Sequence, residues 1–243
     1  MNVSLSGKKI LVTGASGAIG GATARTLRAC GAWVAGSYCR NEEEARCLEG
    51  EGVRMIRADL ADREQARALV RRALADSGGM LDGLVYAAGN TRDRTLLKLD
   101  DSDWDQVLAL HLTGLSVCCR ELLPVLQKQK AGKILAIGSQ SGLTGQVGQA
   151  NYSAAKAGTV GLIKTVAREG GRFGVTANVI CPGFVDSAMT RSAPPEAWER
   201  AKAASALGAV SSARVVASFI AWFLSDHCSG VTGQVFQLDS RIL

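Results

Sequence analysis

Short apolar runs bounded by glycine alternate with amphipathic stretches along the whole of this chain, and few folds accept that order. Buried parallel strands read as near-continuous Val/Ile/Leu runs, and amphipathic stretches between them read as crossover helices. The pattern is therefore one of βαβ units, with helices on both faces of a parallel sheet. It predicts strands over Lys9–Thr13, Trp33–Tyr38, Arg54–Ala58, Gly83–Ala87, Lys133–Gly138, Thr176–Cys181 and Val235–Leu238. Helical periodicity falls near 18–30, 42–50, 62–77, 102–128, 150–170 and 212–225, and 184–208 reads as a looser, mobile stretch. Seven strands with intervening helices make an α/β, doubly wound fold, which binds ligands at the carboxyl ends of its strands. At 243 residues, with no Pro-, Ser- or charge-rich linker and no internal repeat, one domain spanning 1–243 is expected.

Composition narrows the chemistry. A chain that is 47% hydrophobic is not disordered. The excess of 28 basic over 22 acidic residues favours an anionic partner or cofactor. No Lys/Arg run is interleaved with aromatics, so nucleic-acid binding is not expected. Seven cysteines without CxxC spacing, beside only 2 histidines, fit neither a disulfide framework nor a metal site and point to a reducing compartment. The vicinal pair Cys118-Cys119 reads as small buried hydrophobes in a helix. Met1–Lys9 has no apolar signal region, and no stretch reaches about 18 uncharged apolar residues, so a cytoplasmic protein without a membrane span is expected.

The first predicted strand runs into Thr13-Gly14-Ala15-Ser16-Gly17-Ala18-Ile19-Gly20 and then a helix. Glycines there permit a tight turn and close backbone approach, and the helix N-terminus offers amides and partial positive charge to a pyrophosphate. Here the chain resembles the short-chain dehydrogenase/reductase family, whose pattern is TGxxxGxG. Ala18 replaces the family's middle glycine; its methyl crowds a diphosphate, and neighbouring Gly17 lets the turn relax. At the end of the second strand, Tyr38 takes the place of the acid that marks an NAD site in the family. Arg40 close by suits a 2′-phosphate, which makes NADPH the implied cofactor; alone, Arg40 also reads as a solvated loop charge. Asp59-Leu60 matches the family's adenine contact, although Asp59 also reads as a helix N-cap. Tyr86-Ala87-Ala88-Gly89 stands where the family has Asn-Asn-Ala-Gly, so the floor on Ala88 and Gly89 remains while both amides are lost.

Tyr152 and Lys156 lie four apart in a helical pattern, so both project from one face. A nearby ammonium favours a phenolate and brings a phenol of reference pKa about 10 toward the working range. Ser139 follows an apolar strand thirteen residues before Tyr152, which resembles the family's Ser-Tyr-Lys triad. In that triad the Ser hydroxyl holds the substrate carbonyl, the Tyr protonates it, and the nicotinamide gives a hydride to carbon. Ser141 is the near neighbour that the spacing rejects. His111 occupies the place of the family's water-binding Asn. A histidine relays protons near neutral pH but is bulkier, so a working relay and a weakened catalyst both stay open. Pro182, Gly183, Val185 and Ser187 match the family's PGxxxTxM segment, with Val185 backbone and the Ser187 hydroxyl on the carboxamide.

The resemblance covers essentially the whole chain as a single Rossmann-type domain and is greatest to bacterial 3-oxoacyl-[acyl-carrier-protein] reductases. The segments that carry it are 88–97, 111–114, 148–158 and 231–234. It implies a ketoreductase of fatty-acid or polyketide/polyene synthesis, a homodimer or homotetramer, and an acyl carrier protein steered by basic residues beside the active-site mouth. Lys128, Lys130, Lys133, Arg168 and Arg172 are the candidates, each also readable as a solvated charge. Asp239-Ser240-Arg241 replaces the family's Asp-Gly-Gly at a tail that packs between subunits, and Ala209–Ala213 replaces a Gly-x-Pro-Glu loop. Two other readings remain: a reductase or dehydrogenase of a free small ketone or alcohol, and a weakly active subunit of a hetero-oligomer.

Overall fold

The computed structural model describes residues 3–191 and 194–241. Its first half runs β1 (Lys9–Thr13), α1 (Ala18–Ala29), β2 (Trp33–Tyr38), α2 (Glu42–Gly50), β3 (Arg54–Arg57), α3 (Arg63–Asp76), β4 (Gly83–Tyr86), α4 (Asp101–Leu108) and α5 (Gly114–Gln129). Then come β5 (Gly132–Ile137), α6 (Ser141–Thr144), α7 (Ala150–Gly171), β6 (Val175–Pro182), α8 (Ala188–Arg191), α9 (Pro195–Ala203), α10 (Ala213–Leu224) and β7 (Val235–Leu238). The strands form one sheet in the order β3-β2-β1-β4-β5-β6-β7.

Every strand pair is parallel, where only a mostly parallel sheet was expected. Alternate residues of each strand feed opposite cores. Ile10, Val12 and Val85 pack on one face with α1 and α10 residues such as Leu27 and Phe223. Leu11, Leu84 and Tyr86 pack on the other with Leu69, Leu115 and Leu122 of α3 and α5. Strand order reverses at β1, whose neighbours are β2 and β4, and this opens a crevice at the carboxyl edge.

Helix starts follow their caps: Asn41, Asp62, Asp100 and Ser212 accept backbone amides at the heads of α2, α3, α4 and α10. Asp62, not Asp59, therefore caps α3. The stretch predicted as one helix over 102–128 is two α-helices joined by a π-helical turn, Ala109–Thr113. Asp101–Gln129 is a helical stretch long and apolar enough by length and composition to cross a membrane, although Arg120 and Glu121 interrupt its apolar run. Its apolar face is nonetheless spent on the core, with Leu115, Leu122 and Leu126 fully buried. Cys118 and Cys119 are buried there, and burial pushes the Cys118 thiol up to about 12. The stretch 184–208 contains α8 and α9 and is tied at its ends by bridges Val185↔Ser211 and Ser205↔Arg241.

Candidate active site

A cleft of about 470 Å³ opens at the carboxyl ends of β1, β2 and β4. Gly14, Ser16 and Gly17 form one wall. Gly14 has φ +64°, and a Cβ on it would stand 2.7 Å from the Ala88 Cα, so both conformation and space require glycine. Helix α1 begins at Ala18 with no side chain capping its first amides, and these are left to a ligand. Of the predicted turn residues, Ala18 and Ile19 begin the helix and do not line the cleft. Buried Gly20 packs beneath the turn, where a Cβ would stand 2.2 Å from the Gly14 oxygen.

At the far end the cleft is lined by Tyr38, Arg40, Asp59 and Leu60, with Ala88 and Gly89 on its floor. Arg40 is exposed, and its guanidinium makes no ion pair or hydrogen bond among the described residues. Two acids of the adjoining helix are engaged elsewhere: Glu44 with Arg25 at 2.8 Å, and Glu42 with Arg57 at 3.6 Å. Asp59 turns its carboxylate to the Ala61 amide at 3.0 Å. An uncapped helix end, a glycine turn without room for a side chain and a free guanidinium together fit a phosphorylated dinucleotide.

The chemical groups meet beside this cleft. Ser139 stands two residues past the end of β5, and Tyr152 and Lys156 lie in the first two turns of α7. The Ser139 side chain acts on the Tyr152 phenol, favouring its ionised form. Lys156 is buried; its Nζ donates to the Ile137 carbonyl at 2.6 Å and lies 5.6 Å from the centre of the Tyr152 ring. Ser141 turns away to Gln149 Oε1 at 2.9 Å, leaving Ser139 as the hydroxyl that acts on Tyr152. A phenol brought toward neutral pH by the ammonium was the sequence expectation, and the structure corrects it. Burial outweighs the effect of Ser139 and pushes Tyr152 up to about 12, while burial lowers Lys156 to about 8. Tyr152 thus keeps its proton at neutral pH.

His111 lies within the π-helical turn, a local geometry that often accompanies functional sites. Its ring meets Tyr152 edge-on, with centroids 5.1 Å apart. It fills the space beside Gly89, where a Cβ would stand 2.5 Å from His111 Cε1. Nε2 is 2.7 Å from the Asn90 carbonyl and 3.2 Å from the Asn90 amide; the shorter contact assigns the proton to Nε2. Nδ1 and Asn90 Oδ1 are then buried acceptors without partners. Burial, reinforced by Lys156, lowers His111 to about 3. The expectation of a ring that takes and gives a proton near neutral pH is therefore corrected. His111 stays neutral, and Nδ1 can only accept a hydrogen bond, as from a water.

Pro182 ends β6, and Gly183, Val185 and Ser187 follow it. Ser187 Oγ lies 3.1 Å from Thr190 Oγ1, which donates to the Val185 carbonyl at 2.7 Å. In the tail, Arg241 pairs with Asp239 of its own chain, and Ser240 Oγ meets Ser205 Oγ at 2.6 Å.

The basic candidates are not beside the mouth of this protomer. Lys128 and Lys130 close α5 ahead of β5, while Arg168 and Arg172 close α7 ahead of β6, all at the opposite edge of the sheet. Sixteen residues of helix separate Arg168 from Tyr152, a distance of about 24 Å. Lys133 points inward, its Nζ on the carbonyls of Phe223, Ser225 and Cys228.

Sequence reasoning missed several participants. Asn90 and Arg92 of the β4–α4 connection, Gln106 of α4 and Leu110 of the π-helical turn line the cleft, and none of them was singled out as a site residue. Fully buried Asn151 donates to the carbonyls of Arg92 and Asp103, tying the start of α7 to that connection. Its only signal was adjacency to Tyr152. The Cys181 thiol, pushed up by burial, lies in the field of Lys156.

Residues 8–198 match the family model described as short chain dehydrogenase. The chain is 40% identical to nodulation protein G of Rhizobium meliloti, over 97% of this chain and 96% of that protein. It is 35% identical to a 3-oxoacyl-[acyl-carrier-protein] reductase of Salmonella typhimurium, over 98% of each chain. A crystal structure of a dehydrogenase/reductase from Sinorhizobium meliloti 1021 superposes with a TM-score of 0.88 at 32% identity, covering 99% of this chain and 96% of that one.

Proposed function

This chain belongs to the short-chain dehydrogenase family, and we propose that it reduces the 3-keto group of an acyl thioester held on acyl carrier protein, using NADPH. The product is the 3-hydroxyacyl thioester of fatty-acid or polyketide-type synthesis. The observation that carries the reading is the convergence of Ser139, Tyr152 and buried Lys156 at the edge of a cleft whose lining suits a dinucleotide. The carrier-bound substrate is taken from the similarity to the Salmonella typhimurium reductase.

The α1 amides and Gly14 would hold the pyrophosphate, Arg40 the 2′-phosphate, and Val185 and Ser187 the carboxamide. When bound, NADPH supplies a hydride. Ser139 Oγ donates a hydrogen bond to the substrate carbonyl and orients it. Tyr152, protonated at neutral pH, donates its phenolic proton to that oxygen as negative charge develops there. Lys156 places a positive charge beside the phenolate left behind. His111 keeps one neutral acceptor, Nδ1, for a water on the route by which that proton is replaced.

The position of the basic candidates favours a second reading, a free small ketone or alcohol as substrate, because in one protomer Arg168 lies about 24 Å from Tyr152 along α7. Convergence of Ser139, Tyr152 and Lys156 speaks against a non-catalytic subunit. The test mixes purified protein with NADPH or NADH and a 3-oxoacyl thioester, free or carrier-bound, and follows the absorbance of reduced nicotinamide. Faster turnover of the carrier-bound form with NADPH supports the first reading. Equal turnover of the free thioester or a simple ketone supports the second.

A further inference from the structure

Tyr86 stands where the family resemblance expects an asparagine, and it does more than fill space. It is the last residue of β4 and is 2% exposed, yet its hydroxyl donates to the Leu110 carbonyl at 2.5 Å. Leu110 precedes His111 inside the π-helical turn Ala109–Thr113. That turn widens the helix by one residue and closes with the Gly114 amide on the Ala109 carbonyl. Gly114 makes room for the hydroxyl: a Cβ there would stand 2.6 Å from Tyr86 Oη and 2.4 Å from the Leu60 carbonyl. From the other side, β4 continues through Gly89, against which His111 packs, to Asn90, whose carbonyl takes the Nε2 proton. Tyr86 therefore grips the turn from behind while the chain that follows it grips the imidazole from in front. Both contacts reach Tyr152 through one edge-on ring contact of 5.1 Å.

We propose that Tyr86 is a positioning residue for the proton-handling end of the site: by holding the Leu110 carbonyl it fixes the π-helical turn, and so the His111 ring, against Tyr152 and Asn90. This rests on the reductase reading above. Without the hydroxyl, the Leu110 carbonyl is a buried acceptor lacking its donor. The turn then relaxes toward regular α-helix, which rotates His111 away from both contacts. Tyr86 touches neither substrate nor cofactor in this scheme, so its influence should pass through His111 alone.

The experiment compares Tyr86→Phe, His111→Asn and the double variant with the native chain, by steady-state reduction of a 3-oxoacyl thioester with NADPH; Tyr152→Phe is the control. Tyr86→Phe should lower kcat about fivefold, the equivalent of one net hydrogen bond, with KM for NADPH unchanged. The double variant should be no slower than His111→Asn, the non-additivity expected of one coupled unit. Independent losses that multiply, or an unchanged kcat with only a lower Tm, overturn the proposal. Amide hydrogen exchange on the native chain tests it without a variant: the Gly114 amide should be as protected as those of β4, and rapid exchange there overturns it. Unchanged turnover in Tyr152→Phe would instead strike at the reductase reading itself.

Discussion

His111 and Tyr152 meet edge to face, their ring planes at 88°, so the side chain that departs most from the family pattern touches the proposed proton donor directly. Contact of this kind makes His111 part of the mechanical support of Tyr152 as well as an acceptor for water. Being buried and neutral, it also makes the fold sensitive to acid.

That sensitivity has a definite sign. His111 is lowered to about 3 in the fold, so between that value and the ordinary 6.5 the unfolded chain binds a proton that the folded chain does not. Stability contributed by the neutral ring is complete above pH 6.5 and is lost as pH falls toward 3, by at most about 1.4 kcal/mol per pH unit. Urea unfolding at pH 7, 6, 5 and 4 should show a steeper loss for the native chain than for His111→Asn. Parallel curves would contradict this.

Arg40 is expected to select the cofactor. Its guanidinium is unengaged among the described residues, while Glu42 and Glu44 are paired with other arginines. Arg40→Glu should raise KM for NADPH about 10- to 100-fold, the range of a lost charge-assisted contact, and leave KM for NADH within about threefold. Titrating both nucleotides by fluorescence checks the ratio.

Gly14→Ala should damage fold and cofactor binding together. A left-handed alanine costs about 1–2 kcal/mol, and the added methyl collides with Ala88 backbone 2.7 Å away. Thermal unfolding should show a lower Tm, and NADPH binding should fall more than tenfold.

Lys133→Met separates stability from carrier docking. The ammonium holds three carbonyls at and just beyond the end of α10, so its loss should cost about 1–3 kcal/mol. If Lys133 is structural, KM for a carrier-bound substrate stays unchanged while Tm falls.

What could be read in the sequence was whatever depends on short, fixed spacings. Gly14 to Gly17 announce themselves as a strand-to-helix turn, and Tyr152 and Lys156 share a helix face by being four apart. The βαβ alternation places the strands to within a residue, because strand ends are marked by glycine and by caps such as Asp62. The π-helical turn left no trace, since one extra residue in five hardly disturbs an apolar period spread over 102–128. For the same reason the neutrality of His111 was hidden: burial sets it, and burial follows from how Gly89, Asn90 and Tyr152 close around the ring. The basic patch was misplaced because nearness in sequence to Ser139 or Tyr152 does not say which end of a strand or helix a side chain occupies. Arg168 shares α7 with Tyr152 and lies at its other end.

The central claim is that Tyr152 protonates a keto group while hydride comes from a dinucleotide in the adjoining cleft. The most direct measurement is NADPH oxidation by the native chain and by Tyr152→Phe in the presence of a 3-oxoacyl thioester, with NADPH binding measured on both by fluorescence. Substrate-dependent oxidation by the native chain, a loss of at least about 100-fold in kcat for Tyr152→Phe, and unchanged NADPH binding are the expected results. Equal turnover by the two proteins, or no substrate-dependent oxidation by the native chain, would contradict the claim.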